Sequence, residues 1–399
     1  MNTRHKRYLD RWLDHVRVLA EDIGPRGSTT EGERQGSEYC EKVLSELGLN
    51  PQIETFMSAR SIYHPHLIGA IAMLIAFAIY PLAGRWSAGF ATILSLATIA
   101  STLLELSFRD NLLRRLVPKA PSQNVIATLA PAGEHKQDFV LIGHVDSHRT
   151  PIIFKTPRWV TLYQRFTTIA FSLFIAQILL YTLGTVTQWS WIWPASIPCA
   201  IAAVLLTAMC IQADLTPFSA GANDNASAVG LVLTLAEEFQ DEPIQNSRVW
   251  FLCTGCEEVQ HYGAIDFFAR HLDDLHNPVV IVFEMLSCTG PAWLTKEGII
   301  VPFHADPELV TLAERLSSEH PEWGAYPEQI NGGNTEMADT LSVGIPAITL
   351  GGIGSMGGMS YWHQVEDTFD KMNREVMSRA YEFVRTYIRT LDTPTKEEE

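Results

Sequence analysis

Phe139-Val140-Leu141-Ile142-Gly143-His144-Val145-Asp146 is the stretch from which the fold can be read. An apolar strand over 139–143 runs into a histidine, and an aspartate follows two residues on. Residues two apart in extended chain point to the same side. Further short apolar runs at 249–254, 279–284 and 347–350 are also expected strands. Helical periods fall between and after them, at 226–239, 308–318 and 374–389. Upstream, helices are expected at 8–21 and 30–47, the second with Gly48 as its C-cap. A short strand at 52–56 follows, and a strand at 124–129 turns through 131–133 into Phe139. Strands alternating with helices predict an α/β domain, a mostly parallel sheet with helices on both faces.

Two apolar stretches interrupt this pattern. From residue 67 to 104 the only charge is Arg85, which sits beside Gly84 and Trp86. The halves, 67–83 and 86–104, each approach the roughly 17–25 residues that cross a bilayer core. Residues 166–213 carry no charge and divide at 184–190 into 166–183 and 191–211, with Trp189, Trp191 and Trp193 clustered at the divide. Tryptophan collects at membrane–water interfaces. Buried core helices of a soluble protein would be shorter and would show a polar stripe. The sequence therefore predicts four transmembrane helices in two hairpins, at 66–107 and 166–213. Pro81 and Arg85 shorten the first. Soluble segments 1–65, 108–165 and 214–392 form the rest, ahead of a charged tail at 393–399. Arg60, Arg109, Arg114, Arg115, Lys119, Lys155, Arg158 and Arg165 flank the hairpins on the soluble side, and Arg85 alone lies at a tip. Positive charge stays inside, so a multi-pass protein of the cell membrane with a cytoplasmic soluble domain is expected.

Charged residues make up 19% of the chain, below the roughly 25% of soluble proteins. The formal net charge is −16. That balance argues against nucleic-acid binding, which needs a basic face. The six cysteines form no dense disulfide framework. Cys253 and Cys256 make a single CxxC without a partner pair, a weak metal or redox signal. The polar N-terminus shows no signal-peptide core.

Four clusters stand at expected strand ends, where α/β sheets place ligands. They are His144–Asp146, the loop 221–227 carrying Asp224, the pair Glu257-Glu258, and 361–368 carrying His363. Imidazole nitrogen and carboxylate oxygen are zinc ligands, and two close ions can share one carboxylate. Asp146 can orient His144 from behind. Taken alone, Asp224 reads better as a helix N-cap. Adjacent carboxylates such as Glu257 and Glu258 repel unless a cation or a proton separates them. One can bind metal while the other takes a proton from water.

Taken in order, these residues resemble metallopeptidase family 28, the co-catalytic zinc aminopeptidases and their glutamate-carboxypeptidase relatives. The resemblance begins at Ile23-Gly24-Pro25-Arg26-Gly27-Ser28 and the helix after it. It continues through Asn124-Val125-Ile126-Ala127, His144-Val145-Asp146, 221–227, Glu257-Glu258, Gly344-Ile345-Pro346-Ala347, and His363 with Asp367-Thr368. It implies two zinc ions, other divalent ions being possible. His144 and a later acidic residue hold one, Asp224 bridges, and Glu258 and His363 hold the second. Glu257 is the general base, Asp146 supports His144, and the Asp224–Asn225 peptide bond is cis. The later acidic ligand is usually aspartate; here Phe283-Glu284-Met285-Leu286 offers Glu284, which in a neighbouring family accompanies carboxypeptidases. Asn334-Thr335-Glu336 stands where the family usually has Ser-Asp-His.

The expected function is a membrane-anchored di-zinc exopeptidase, aminopeptidase-like or carboxypeptidase, with a peptide substrate and the lipid bilayer as partners. An amide hydrolase acting on a membrane-derived substrate and a non-catalytic scaffold of the same fold are the alternatives. Scaffolds typically lose metal ligands, and none is missing here. The second hairpin interrupts the chain between Asp146 and Asp224. That position suggests that the membrane restrains or delivers the substrate, against the plainer reading of a simple anchor.

Overall fold

The computed structural model describes residues 3–352 and 360–393. Of the expected charged tail, only Thr393 is among them. The chain separates into two compact units. One comprises Met1–Ser58, Ala120–Thr150 and Phe218–Glu399, and the other Ala59–Lys119 and Pro151–Pro217.

The first unit is built on a nine-stranded sheet: β1 (Gln52–Ala59), β2 (Lys119–Leu129), β3 (Gln137–His144), β4 (Ser247–Thr254), β5 (Pro278–Glu284), β6 (Ala292–Glu297), β7 (Phe303–His304), β8 (Tyr326–Gln329) and β9 (Ala347–Gly351). Their order is β1-β2-β4-β3-β5-β9-β6-β7, with β8 also on β6. Neighbours β4/β3, β3/β5, β5/β9 and β6/β8 are parallel, whereas β2/β4, β9/β6 and β6/β7 are antiparallel. The sheet is thus mixed, which corrects the expectation of a mostly parallel one. The reason lies in the links. A parallel return needs a crossover of a dozen or more residues, usually a helix. Residues 130–136 between β2 and β3 and 285–291 between β5 and β6 are too short for that.

The central strands β4, β3, β5 and β9 run the same way. Phe139–Ile142 of β3 and Val280–Phe283 of β5 are wholly buried. Helix Ser227–Asp241 packs flat on this layer. Gly143 permits the contact, since a Cβ there would meet the backbone of Ala228 and Val229 at 3.0 Å. Trp12, on helix Thr3–Arg17, donates its indole N–H to the Ser227 carbonyl at 2.6 Å and ties a second helix to the first. Helix Arg374–Leu391 closes the unit, with the buried Glu238 carboxylate accepting from Tyr381, Arg385 and Arg389. The sequence reading did not give β6, β7 and β8, or helices Tyr262–His271 and Met337–Ser342. These elements are short and follow one another through loops with little periodic signal.

The second unit is helical: Tyr63–Ile79, Arg85–Glu105, Pro157–Thr187, a short turn Ile192–Ala195, and Ile197–Asp214. Three of these, Arg85–Glu105, Pro157–Thr187 and Ile197–Asp214, are long and apolar enough to cross a membrane; Tyr63–Ile79 is apolar but has 17 residues. Large apolar side chains face outward, among them Trp86 (87% exposed), Val186 (71%), Ile93 (69%) and Leu179 (66%). The interior is partly polar. Gln177 donates to the Met73 carbonyl, Tyr181 bonds Ser196, and the rings of Tyr80 and Tyr181 stack. So many exposed large apolar side chains are unusual on a water-facing surface.

Candidate metal centre

Because β4, β3, β5 and β9 are parallel neighbours, their C-terminal ends form one edge. His144 is the last residue of β3 and Glu284 the last of β5, while Glu257 and Glu258 follow β4. Asp224 sits in the loop before helix Ser227–Asp241, and His363 lies beyond β9. All five candidate ligands converge. His144 Nε2 stands 3.5 Å from Asp224 Oδ1 and 3.6 Å from Glu284 Oε2. His363 Nε2 stands 3.4 Å from Asp224 Oδ2 and 3.2 Å from Glu258 Oε2. The two oxygens of one carboxylate thus face two different imidazoles. Among the described residues, ligand atoms gather within 4.8 Å in three sets: His144, Asp224 and Glu284; His148, Glu258 and His363; and His144, Glu257 and Glu258.

These spacings suit metal ions. Donors about 2.0–2.1 Å from a tetrahedral zinc stand about 3.3 Å from one another. Glu258 Oε1 is buried with no hydrogen-bond partner among the described residues, as an oxygen reserved for a cation would be. Electrostatics point the same way. Burial pushes the Glu284 carboxyl up to about 7. Burial and the neighbouring Asp224 and Glu257 raise Glu258 well above its ordinary value, and burial raises Asp224 as well. Bound cations would compete with protons for such a cluster. Glu257 differs. Burial favours its neutral form, but the adjacent His144 and His261 outweigh it and lower its pKa.

The loops are held from behind by buried polar groups. His144 Nδ1 lies 3.0 Å from the main-chain oxygen of Asp146 and 3.5 Å from its carboxylate, so the carbonyl, more than the side chain, fixes the ring. The Asp146 carboxylate accepts from Ser28 Oγ at 2.6 Å and from the backbone N–H of both Glu257 and Glu258 at 3.1 Å. It therefore sets two loops at once. The Asp224–Asn225 bond is cis, matching what the resemblance implied. Asp224 caps no helix: the residue at the start of helix Ser227–Asp241 is Ala226, without a side-chain bond. Gly221 takes a left-handed φ of 59°, and a Cβ there would meet the Asp224 carbonyl at 2.6 Å. Asp367 accepts from the N–H of Asn223 and of Asp224 at 2.7 and 3.0 Å.

Several supporting residues carried no role in the sequence reading. Arg26 is wholly buried and donates to the carbonyls of Leu19, Gly24, Val145, Ala220 and Gly221. It joins the loops of Asp146 and Asp224. Burial brings its pKa down to about 10, which leaves it charged. The stretch 334–336 turns inward, with Thr335 donating twice to the buried Glu297. His261, buried beside Glu257, and His148, stacked on His363 at 3.6 Å, also went unmarked. Only the density of acidic and imidazole side chains near the expected ligands could have flagged them. All six cysteines are free, and none belongs to a ligand set among the described residues.

Comparison with known proteins bears on the fold. Residues 207–388 match the model for Peptidase family M28. No curated protein matches the chain. Among solved structures, the chain is similar to a leucine aminopeptidase precursor from Bacteroides thetaiotaomicron VPI-5482, with TM-score 0.57 at 12% identity, covering 96% of each chain. It is also similar to a Zn-dependent exopeptidase from Parabacteroides distasonis ATCC 8503, with TM-score 0.52 at 12% identity over 94% of this chain and 96% of that one. The glutaminyl cyclase of Tannerella forsythia gives TM-score 0.56 at 13% identity, over 96% and 98%. The α/β fold is that of the zinc exopeptidases and glutaminyl cyclases.

Asp367 fixes the backbone that carries Asp224. Asp367→Asn replaces one accepting oxygen with a donor facing an N–H. It should weaken divalent-metal affinity about 10–100-fold, measured by calorimetric titration of metal-stripped protein. Unchanged affinity would show that the Asp224 loop is held without it.

Proposed function

We propose that the chain is a membrane-anchored exopeptidase using two zinc ions, which hydrolyses terminal peptide bonds in an aminopeptidase-like manner. The observation that carries this reading is the placement of Asp224 between His144 and His363, one carboxylate oxygen toward each. His144, Asp224 and Glu284 would hold one ion, and Asp224, Glu258 and His363 the other. When bound, such ions polarise a substrate carbonyl and make water a better nucleophile near neutral pH.

The remaining chemistry belongs to the chain. Glu257 Oε2 lies 3.7 Å from His144 Nε2, at the edge of the cluster. From there Glu257 accepts a proton as water adds to the peptide carbonyl carbon. It then returns the proton to the departing amine nitrogen as the C–N bond breaks. Asp146 keeps His144 and both glutamates in register.

The glutaminyl cyclases of like fold make a panel of substrates necessary: free, N-blocked and C-blocked peptides, an N-terminal glutaminyl peptide, and acyl amides. Exopeptidase action requires cleavage of the free peptide and loss of cleavage when one end is blocked. Glu257→Gln should retain both metals, because its role is proton transfer, and lose at least about 100-fold in turnover. Metal loss in that variant would assign Glu257 as a ligand and transfer the base role to Glu258.

The three long apolar helices and their exposed apolar side chains support a membrane anchor. The basic residues flanking them support a cytoplasmic first unit. Protease added to intact cells should spare that unit and digest it once the cells are opened. Digestion in intact cells, or a glycan on the first unit, would reverse the orientation.

A further inference from the structure

His261 lies three residues beyond the Glu257-Glu258 pair, where helix Tyr262–His271 begins. Both Gln260 and His261 take left-handed backbone conformations, with φ of 89° and 57°. Residues other than glycine seldom do so. The N–H groups of both bond to the Glu257 carbonyl at 3.0 and 2.9 Å. This tight turn brings the imidazole back over the Glu257 side chain. His261 Nε2 is 3.1 Å from Glu257 Oε1, and Nδ1 is 2.5 Å from Asp339 Oδ2 on helix Met337–Ser342. The side chains of His261, Asp339 and Glu257 are 4%, 10% and 11% exposed.

We propose that His261, clamped by Asp339, is the positioning residue that anchors one oxygen of Glu257, so that the other is held toward the metal cluster. The proposal rests on the base role assigned to Glu257 above. A glutamate has three rotatable side-chain bonds, and a base must present one oxygen in one place. Here the oxygens are differentiated. Oε1 is bonded to His261, and Oε2 faces His144. The ring is flanked by a carboxylate at each nitrogen, and only an imidazolium donates from both. Burial opposes the charge, but Asp339 and Glu257 outweigh it and hold the ring well above its ordinary pKa. Asp339 in turn keeps the ring from swinging away from Glu257. The other reading of the trio is a buried pair that merely joins the 257–261 turn to the helix of Asp339.

Three variants separate these readings in the full-length, metal-loaded protein. His261→Phe keeps ring volume and loses both N–H groups. His261→Gln keeps one amide donor that can reach Glu257. Asp339→Asn leaves the ring but removes its charged clamp. His261→Phe should keep both metals and lower kcat about 10–100-fold with little change in KM. His261→Gln should recover most of that loss, and Asp339→Asn should fall between. A crystal structure of His261→Phe should show the Glu257 carboxylate rotated or in several orientations. Equal kcat in the Phe variant and the wild type, a Gln variant no better than Phe, or an unmoved Glu257 carboxylate would each overturn the proposal. If His261→Phe does not fold, the Gln and Asn variants carry the comparison. If the wild-type protein cleaves nothing in the substrate panel, the exopeptidase reading fails, while the crystal structure still decides whether His261 holds Glu257.

Discussion

The site depends on one carboxylate pointing two ways. Asp224 offers Oδ1 to His144 and Oδ2 to His363, and the surrounding architecture keeps that residue in place. Gly221 gives the loop its turn, Asp367 takes the N–H of Asn223 and Asp224, and Asn225 reaches Glu284 and the end of β5. Arg26 binds the same loop to the one that carries Asp146. A shift of the Asp224 loop would separate two half-sites that the sheet otherwise brings to one edge.

Charge explains why so many of these groups are buried together. Asp146, Asp224, Glu257, Glu258 and Glu284 crowd one cleft edge, and burial raises several of their pKa values. A cluster of this kind is stable as anions only beside cations. Two nitrogen-bearing side chains nearby, Arg26 and His261, serve other ends. Arg26 is spent on backbone carbonyls, and His261 is enclosed by Glu257 and Asp339. Neither stands where Asp224, Glu258 and Glu284 meet the imidazoles.

Much of this was legible in the sequence, for physical reasons that differ from residue to residue. The apolar run 139–142 and its followers at 249–254 and 279–284 read as buried strands because both faces are covered. Their ends therefore located His144 and Glu257-Glu258, whereas Glu284 came only with the family resemblance. Asp224 and His363 came from motif order, because loop residues carry no periodic signal. Sheet direction was misjudged. Alternation of strands and helices suggested a mostly parallel sheet, yet the short links 130–136 and 285–291 reverse the chain's direction from β2 to β3 and from β5 to β6. Arg26, His261 and Asp339 gained their roles only through contacts between distant segments, such as Arg26 to Ala220. In the apolar insertions, composition alone marked the helices, though the third begins at Pro157, nine residues before its uncharged stretch.

The central claim is that this cluster holds two metal ions through a shared aspartate. Elemental analysis of protein purified in detergent without chelators, then equilibrated with zinc and desalted, tests it most directly. The account predicts two equivalents of divalent metal per chain. One equivalent or none, in protein shown to be folded, would contradict it.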